Sequence, residues 1–360
     1  MTPYGDAVPL VDPTKYAQVK PVLERMLAEA LQQGTGVDWF IATLVQRWGE
    51  PIFPYVMQFH QDLQRPPEPS NSQFETYVPQ RLTIPGAQAH PDPLVQSLAM
   101  AAVMPPTPTY QPQLPPGVIT AGQLSLPQLE AVTYAGQAHA RFLPQVGEKA
   151  PVRQGYFVGD GTGLGKGRQV AGIIADNFAQ GRTKALWISE KSALLEDARR
   201  DWREGVNGDP AQIFPLSGTA ITTPLKPTSG ILFATYDTLS RVDKTDKTQT
   251  RVQQIVDWVG ADFDGALVLD ESHGLANSLA QQSGRGRSTP SQKALAGIAL
   301  QAALPNARVV YVSATGATEV RNLAYAERLG LWGPHTPFPT KQDFIEQITA
   351  GGIAAMELVA

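Results

Sequence analysis

The sequence predicts a three-layer α/β domain with a parallel central sheet, preceded by a small helical N-terminal unit and a proline-rich arm. After Gly122, short and nearly continuous apolar runs alternate with helical patterns, as strands covered on both faces of a parallel sheet require. One of these runs leads into a glycine-rich loop and a helix, and another ends in two carboxylates. We therefore divide the chain into residues 1–65, 66–118 and 119–360.

The first segment, residues 1–65, is predicted to be helical. Apolar and polar positions alternate in a helical rhythm over residues 14–65. The rhythm breaks at Gly34 and Gly36 and resumes from Asp38, which is typical of a helix end followed by a second helix. This pattern indicates a small helical unit.

The second segment, residues 66–118, is rich in proline. Of the 31 prolines in the chain, 13 lie between Pro66 and Pro116, and no charged residue occurs from Pro93 to Leu129. Proline lacks a backbone donor and disfavours helix at the residue before it. The composition therefore indicates either an extended arm that wraps a neighbour or a disordered linker.

The third segment, residues 119–360, carries the alternating pattern of the α/β domain. The predicted strands are Tyr156–Val158, Ala185–Ser189, Ile231–Thr235, Ala266–Leu269 and Val309–Ser313. The predicted helices are Pro127–Phe142, Lys166–Gln180, Ser192–Arg203, Gln292–Ala303 and Glu319–Leu329.

The composition is that of a soluble globular protein. Hydrophobic residues make up 42% of the 360 residues, and no apolar run approaches the roughly 18 to 20 residues of a membrane span. The N-terminus also lacks the pattern of a secretory signal, so we expect a cytoplasmic protein without membrane association. The absence of cysteine excludes disulfide frameworks, thiolate zinc sites and cysteine nucleophiles. A net charge of −4 argues against a protein that coats nucleic acid non-specifically.

The run from Gly159 to Arg168 predicts a phosphate-binding loop. It follows a predicted strand and opens a predicted helix, which is the context that a P-loop requires. Its glycines let backbone N–H groups converge on phosphate oxygens, and the helix contributes its positive N-terminal end. Lys166 would place its ammonium group on the β- and γ-phosphates of ATP. The predicted nucleotide-binding residues of this loop are Gly161, Thr162, Gly163, Gly165, Lys166, Gly167 and Arg168.

Two positions depart from the usual P-loop pattern. Asp160 stands where the first glycine is expected, and Gly167 stands where serine or threonine follows the lysine. The second departure removes the hydroxyl that normally ligates Mg²⁺. Three alternatives remain: another group or water completes the metal shell, Thr162 takes a compensating role, or hydrolysis is weak.

The run from Leu267 to His273 is an apolar strand that ends in two carboxylates, about 100 residues after the P-loop. Ligands of open α/β sheets sit at the carboxyl ends of the strands. Asp270 is therefore predicted to hold Mg²⁺, directly or through water, and Glu271 to orient and deprotonate the attacking water. His273 either bridges this site to its neighbours or is a structural histidine. The predicted catalytic residues are Glu271, Asp270 and Lys166.

A third strand ends in small hydroxyl residues, Ser313 and Thr315. Because this strand follows the acidic strand in sequence, both hydroxyls could hydrogen-bond the Asp270–His273 loop. We expect them, together with His273, to sense whether the γ-phosphate is present.

These segments together resemble the first RecA-like domain of a superfamily 2 helicase. Asp160–Lys166 is similar to the Swi/Snf-type Asp-x-x-Gly-x-Gly-Lys loop, and Asp270–His273 is a DExH box. Gln128–Val132 resembles the glutamine motif of that superfamily, which implies that Gln128 reads the adenine of ATP. Gly230–Asp237 resembles the strand and loop that lie along a DNA strand in such motors.

The closer resemblance is to the strawberry notch family, over roughly residues 122–360. That family also has glycine at the position of Gly167. The runs that carry the resemblance are Gly159–Gln169, Ser313–Thr318, Arg321–Tyr325, Arg328–Gly333 and Gly351–Glu357. The resemblance implies an ATP-dependent motor or remodeller that acts on DNA, and we favour a bacterial or phage source.

The resemblance also implies where DNA would lie. The expected contacts are the segments Glu190–Ser192 and Thr235–Tyr236, in which Lys191 could bind a phosphate. Tyr236 could stack on a base, although packing in the core is the better expectation. The loop Ser283–Ser288 either offers two cations to a backbone phosphate or is solvated.

A translocating helicase needs a second RecA-like domain that supplies arginine fingers across the ATP cleft, and the sequence stops at Ala360 where the family would continue. We therefore expect a fragment of a longer protein or a half-motor completed by another subunit. Two alternatives are a nucleotide-binding scaffold or structural protein without turnover, and an ATPase that acts on protein or RNA.

Overall fold

The computed structural model forms two compact units, Met1–Gln73 and Phe74–Ala360. The residues that it describes are 11–32, 40–41, 43–44, 54–56, 58–59, 74–115, 117–144, 150–161, 163–276, 281–283, 286–288, 290–314 and 323–359. In the first unit, helix α1 spans Pro13–Gln32, as the helical rhythm predicts. A small apolar core holds Leu23 and Leu27 of this helix together with Phe40, Ile41, Leu44, Val56 and Phe59.

The proline-rich segment from Phe74 onward packs within the second unit. It begins with an antiparallel pair of strands, β1 (Phe74–Thr76) and β2 (Val95–Ser97), followed by the short helix α2 (Leu98–Ala101). Farther along, the Tyr110 hydroxyl donates to Asp176 Oδ2 at 2.5 Å, and the backbone N–H of Gln113 donates to Asp176 Oδ1 at 2.6 Å. These bonds hold the described part of the segment against α-helical residues of the same unit.

A parallel six-stranded sheet forms the centre of the second unit. Its strands are β3 (Tyr156–Val158), β4 (Lys184–Ser189), β5 (Ile213–Pro215), β6 (Gly230–Thr235), β7 (Ala266–Asp270) and β10 (Arg308–Val312). Their order across the sheet is β3-β10-β7-β4-β6-β5. All five predicted strands are confirmed to within one residue at each end. The edge strand β5 was not predicted, because three residues that end in proline carry too little pattern.

Helices cover both faces of this sheet. They are α3 (Leu126–His139), α4 (Lys166–Ala179), α5 (Leu194–Val206), α6 (Tyr236–Leu239), α7 (Arg251–Val259) and α8 (Gln292–Ala303). Farther along the chain, α9 (Lys341–Val359) contributes to a separate apolar cluster with Ala324. Alternate residues of each strand enter opposite cores: Ala185 and Trp187 pack with α3, α4 and α5, whereas Leu186 and Ile188 pack with α6, α7 and α8. This arrangement confirms the predicted three-layer α/β fold. None of the helices that the structure describes is long and apolar enough to cross a membrane.

The predicted helix Glu319–Leu329 is wrong over its described residues, 323–329, which form turns. Three consecutive side chains, Ala324, Tyr325 and Ala326, are all buried, and a single amphipathic helix face does not bury three residues in a row. The backbone N–H of Arg328 donates to the Tyr311 hydroxyl at 3.1 Å instead of to a helical carbonyl. Tertiary packing has overridden a helical composition.

We expect the buried histidine at the end of α3 to make the domain sensitive to acid. Burial lowers the pKa of His139 to about 3, and Nε2 lies 3.1 Å from the carbonyl oxygen of Val309, to which it donates in the neutral form. Because the pKa of His139 in the folded state lies below the unfolded value of 6.5, the stability that neutral His139 contributes is complete above pH 6.5 and is lost as pH falls toward 3.

Urea unfolding at pH 7 and pH 5.5 measures this effect. Between pH 7 and pH 5.5, we expect the free energy of unfolding of the wild-type chain to fall by about 1 kcal/mol more than that of His139→Gln, since one pKa unit corresponds to about 1.4 kcal/mol. The glutamine retains a donor for Val309 and does not titrate. Equal losses in the two proteins would contradict a neutral, buried His139.

Candidate nucleotide site

The P-loop connects the end of β3 to the start of α4. Gly163 and Gly165 adopt φ angles of 95° and 74°, which residues with a Cβ rarely adopt. Lys166 begins α4, and its Nζ donates to the carbonyl oxygens of Asp160 at 2.9 Å and Gly161 at 3.1 Å. The lysine ammonium therefore lies across its own loop at the N-terminus of a helix, where an anion is favoured. Thr162 lies outside the described residues.

Gln128 of the glutamine motif contacts the P-loop directly. It is buried, its Oε1 accepts from the backbone N–H of Ser125 at 3.0 Å, and its Nε2 donates to the carbonyl oxygen of Leu164 at 2.9 Å. A Cβ on Gly165 would lie 2.5 Å from Nε2, so this glycine also makes room for the amide. In this geometry Gln128 fixes the loop to α3.

The other polar residues of the loop bind neighbouring side chains. Asp160 Oδ2 accepts from Gln169 Nε2 at 2.6 Å, which ties the start of the loop to the second turn of α4. Arg168, predicted to contact the nucleotide, forms an ion pair with Glu204 of α5 at 3.0 Å. These bonds stabilise the loop against α4 and α5.

Asp270 ends β7 with its carboxylate held from two sides. Its Oδ2 accepts from Ser189 Oγ at 2.9 Å and from Trp187 Nε1 at 3.3 Å, both on the neighbouring strand β4. The backbone N–H of Glu271 donates to Oδ1 at 3.0 Å. Burial raises the pKa of Asp270, and the bonds from Ser189 and Trp187 oppose that effect. Sequence reasoning missed these two donors, although Ser189 is a small polar residue at a strand end.

Glu271, His273 and Ser313 form a contiguous polar row beside Asp270. Glu271 adopts a left-handed backbone with φ of 47°, which is uncommon for a residue with a side chain and is found at functional sites. His273 Nδ1 lies 3.3 Å from Glu271 Oε2 and 3.2 Å from Ser313 Oγ. The histidine thus connects the acidic strand end to the next strand, β10. Thr315 lies outside the described residues.

The strand order places the P-loop and Asp270 on opposite sides of a single strand. Only β10 separates β3, which carries the P-loop, from β7, which carries Asp270. Two strand spacings amount to roughly 10 Å. That gap at the carboxyl edge of the sheet suits a triphosphate between the lysine and the carboxylates.

The donors present fit a magnesium ion. Among the residues described, no group of three or more His, Asp or Glu side chains is arranged to hold a metal by itself. Mg²⁺ does not need one, since it usually binds one or two carboxylates, several waters and the phosphates of the nucleotide. Asp270, oriented by Ser189 and Trp187, supplies such a carboxylate.

Tyr236 links this site to a second cleft. Its ring is fully buried, as the sequence favoured, and its hydroxyl donates to the carbonyl oxygen of Asp270 at 2.8 Å. Tyr236 begins α6, directly after β6. The residue before it, Thr235, lines the second cleft.

The second cleft has a volume of about 440 Å³ and lies at the carboxyl ends of β4 and β6. Two exposed cations, Lys191 and Arg241, line it together with the acidic Glu190 and Asp237. Asp237 forms an ion pair with Lys293 at 3.0 Å, which offsets one of the two negative charges. Glu190–Ser192, the first segment that the sequence predicted for DNA, lines the cleft, and so does Thr235 of the second segment, whereas Tyr236 is buried in the core.

The structure describes only part of the loop Ser283–Ser288. Its flanks form a two-stranded antiparallel pair, β8 (Gln281–Ser283) and β9 (Gly286–Ser288). The residues between them lie outside the described part of the chain. Both predicted cations of the loop therefore stay predictions.

The family model described as P-loop containing NTP hydrolase pore-1 matches residues 89–360. The chain is also similar to a strawberry notch homologue of Caenorhabditis elegans, with 43% identity over 297 residues, and to human strawberry notch homologue 1, with 40% identity over 292 residues. It is 41% identical over 294 residues to the protein FORGETTER 1 of Arabidopsis thaliana. Each match covers 80% of this chain and, in the same order, 15%, 20% and 21% of the relative. The chain thus spans about a fifth or less of the length of these relatives.

Among solved structures, the SWI2/SNF2 ATPase core of Sulfolobus solfataricus in complex with dsDNA overlaps with a TM-score of 0.43 and 15% identity. The overlap covers 69% of this chain and 42% of that chain.

Proposed function

This chain belongs to the P-loop containing NTP hydrolase pore-1 family and is homologous to the strawberry notch proteins, and we propose that it is an ATP-hydrolysing module of a DNA-acting helicase, translocase or remodeller. One observation carries the proposal: the P-loop with Lys166 follows strand β3, Asp270 ends strand β7 and is followed by Glu271, and these two strands flank a single strand of the sheet. Lysine, amides and two carboxylates are the groups that phosphoryl transfer to water requires.

In this proposal the loop binds the triphosphate of ATP through its backbone N–H groups, and Lys166 leaves the carbonyls of Asp160 and Gly161 to contact the β- and γ-phosphates. Asp270 holds Mg²⁺, which when bound neutralises charge on the phosphates. Glu271 accepts the proton of the attacking water. The loop residues to which we assign nucleotide contacts are Gly161, Thr162, Gly163, Gly165, Lys166, Gly167 and Arg168.

The proposal gives the remaining polar residues coupling roles. His273 and Ser313, with Thr315 farther along the same segment, respond to the γ-phosphate, because His273 contacts both Glu271 and Ser313. Gln128 reads the adenine while its amide stays bonded to the P-loop at Leu164. Binding of the base would thereby be transmitted to the phosphate loop.

We assign the cleft at the ends of β4 and β6 to DNA. Lys191 and Arg241 are exposed there and can each bind a backbone phosphate. The Tyr236 hydroxyl, bonded to the carbonyl of Asp270, gives this cleft a direct path to the ATP site. The proposal includes a second RecA-like domain or a partner subunit that completes the ATP cleft, as motors of this superfamily require.

A second candidate function is a nucleotide-binding scaffold without turnover. The observation in its favour is Gly167, which lacks the hydroxyl that normally ligates Mg²⁺. The two candidates differ in hydrolysis, not in ATP binding.

The rate of ATP hydrolysis, measured without nucleic acid and with single-stranded DNA, double-stranded DNA or RNA, tests the proposal. We expect hydrolysis that DNA stimulates more than RNA does. The doubly substituted variant Lys191→Glu with Arg241→Glu should lose most of this stimulation while its rate without DNA is retained. The slope of log affinity for DNA against log salt should become shallower by about one for each phosphate that the variant no longer binds.

Lys226→Glu is the matched control, because Lys226 is exposed and does not line the cleft. ATP binding without any hydrolysis would favour the scaffold, whereas equal stimulation by RNA would refute the assignment to DNA. If the control variant loses as much stimulation as the double variant, the cleft is not the binding surface.

A further inference from the structure

The glycine after the P-loop lysine faces a carboxylate from another helix. A Cβ placed on Gly167 would lie only 1.9 Å from Oδ2 of Asp201, far inside van der Waals contact. Asp201 belongs to α5, which packs beside α4. Its oxygen therefore occupies the space that the side chain of a serine or threonine at position 167 would enter.

Asp201 is held in this position. Its side chain is only 16% exposed, and its Oδ1 accepts from Arg200 Nη2 at 3.2 Å. Oδ1 thus faces the arginine while Oδ2 faces Gly167. Four residues farther along α5, Gly205 packs against the aliphatic part of the Arg168 side chain. The face of α5 that carries Asp201 and Gly205 therefore lies along the first turn of α4.

The chemistry of this oxygen matches the group that the P-loop lacks. In other P-loop proteins the residue after the lysine ligates Mg²⁺ through a hydroxyl oxygen. Mg²⁺ prefers oxygen ligands and commonly takes carboxylates. Because Arg200 pairs with Oδ1, Oδ2 is the carboxylate oxygen turned toward the start of α4, the helix end at which the proposed function places the phosphates of ATP.

We propose that Asp201 replaces the missing hydroxyl and supplies, through Oδ2, an oxygen to the coordination shell of the nucleotide-bound Mg²⁺. Gly167 and Asp201 then form a pair, since the glycine admits the carboxylate and the carboxylate takes the role of the absent side chain. The inference rests on the proposed binding of ATP with Mg²⁺ and adds Asp201 to Asp270 as a metal-binding residue.

The test compares the affinity for a fluorescent, non-hydrolysable ATP analogue with and without MgCl₂. The variants are Asp201→Ala, Asp201→Asn, Gly167→Ser, and Gly167→Ser combined with Asp201→Ala. We expect Asp201→Ala to reduce the gain in affinity that Mg²⁺ provides by roughly 10- to 100-fold. The affinity without Mg²⁺ should be unchanged or higher, because a negative charge near the phosphates has been removed.

Gly167→Ser alone should also weaken binding, since its side chain collides with Asp201. The combined variant removes the collision and restores a hydroxyl, so it should recover most of the Mg²⁺-dependent gain. Asp201→Asn keeps the shape of the side chain, and its loss of Mg²⁺ dependence separates the charge from packing. Thermal melting of each variant reports whether it is folded.

Asp197→Ala is the matched control, because Asp197 lies one turn earlier on α5 and also pairs with Arg200, at 2.6 Å. If Asp201→Ala and Asp201→Asn keep the full Mg²⁺-dependent gain, Asp201 only packs against Gly167 and the inference fails while ATP binding stands. If the wild-type chain binds the analogue neither with nor without Mg²⁺, the proposed function fails and the inference fails with it.

Discussion

Replacing Glu271 by glutamine is expected to lower the rate constant of ATP hydrolysis by roughly 10²- to 10⁴-fold, which is the usual contribution of a general base. Glutamine has nearly the same shape but does not accept a proton from water. The left-handed backbone at this position and the contact of 3.3 Å to His273 hold the carboxylate in one place beside Asp270. Because the carboxylate is held in this way, we expect the role of Glu271 in hydrolysis to depend on its negative charge more than on the size of its side chain.

Single-turnover hydrolysis and equilibrium binding of ATP should be measured on the same protein. We expect ATP affinity to stay within a few-fold of wild type, because Glu271 takes no part in binding the phosphates in our proposal. Lys166→Ala should instead weaken binding itself. Glu327→Gln serves as the control, since Glu327 pairs with Lys341 at 2.7 Å and does not belong to the nucleotide site. Hydrolysis by Glu271→Gln at the wild-type rate would remove Glu271 from the catalytic residues.

Replacing Arg328 by methionine is expected to lower the free energy of unfolding by about 3 kcal/mol or more, since it removes four hydrogen bonds from a buried charged donor and each such bond contributes about 1.5 to 3 kcal/mol before the cost of burying the charge. Arg328 is only 2% exposed. Its guanidinium donates to the carbonyl oxygens of Arg153 at 3.2 Å, Pro305 at 2.9 Å and Leu304 at 3.0 Å, and also to that of Gln301.

Two of these carbonyls, those of Gln301 and Leu304, belong to the C-terminal end of α8, where a cation is favoured. Burial lowers the pKa of Arg328, yet a guanidinium stays charged at any ordinary pH. Arg328 therefore stabilises the end of α8 and joins it to the segment before β3.

Urea denaturation at pH 7 measures the effect. Arg328→Lys keeps the charge but offers donors from a single atom, so we expect an intermediate loss. Arg203→Met is the control, because the Arg203 side chain is 62% exposed and pairs only at 3.4 Å with Glu204, and it should change the free energy of unfolding by less than about 0.5 kcal/mol. A loss below about 1 kcal/mol in Arg328→Met would show that water and the backbone donors already present satisfy the carbonyls without the guanidinium.

Features encoded in short stretches of sequence were predictable. Strands β4, β6, β7 and β10 bury both faces, so each appears as an apolar run, and the five predicted strands agree with the structure. The P-loop could be located because a strand, glycines, a lysine and a helix start lie within a dozen residues. The carboxylate pair was located because it ends an apolar strand.

Features that depend on contacts between distant segments were not predictable. The edge strand β5 is defined by its pairing with β6, and the described turn at 323–329 by its packing against Tyr311. The bonds of Tyr110 and Gln113 to Asp176 join residues that are 66 and 63 positions apart, so the proline-rich composition alone did not reveal them.

The sequence by itself determined the α/β fold, the family resemblance and the two strand ends at which the candidate catalytic residues lie. Each of these features can be recognised from short runs of consecutive residues. The tertiary structure decided which groups orient those residues: Ser189 and Trp187 hold Asp270, and Asp201 fills the space beside Gly167. The sequence shows only that Gly167 lacks the hydroxyl that serine or threonine usually provides at this position. In the fold, a carboxylate from a neighbouring helix stands in that place, and only the packing of α5 against α4 brings together two residues so far apart in the chain.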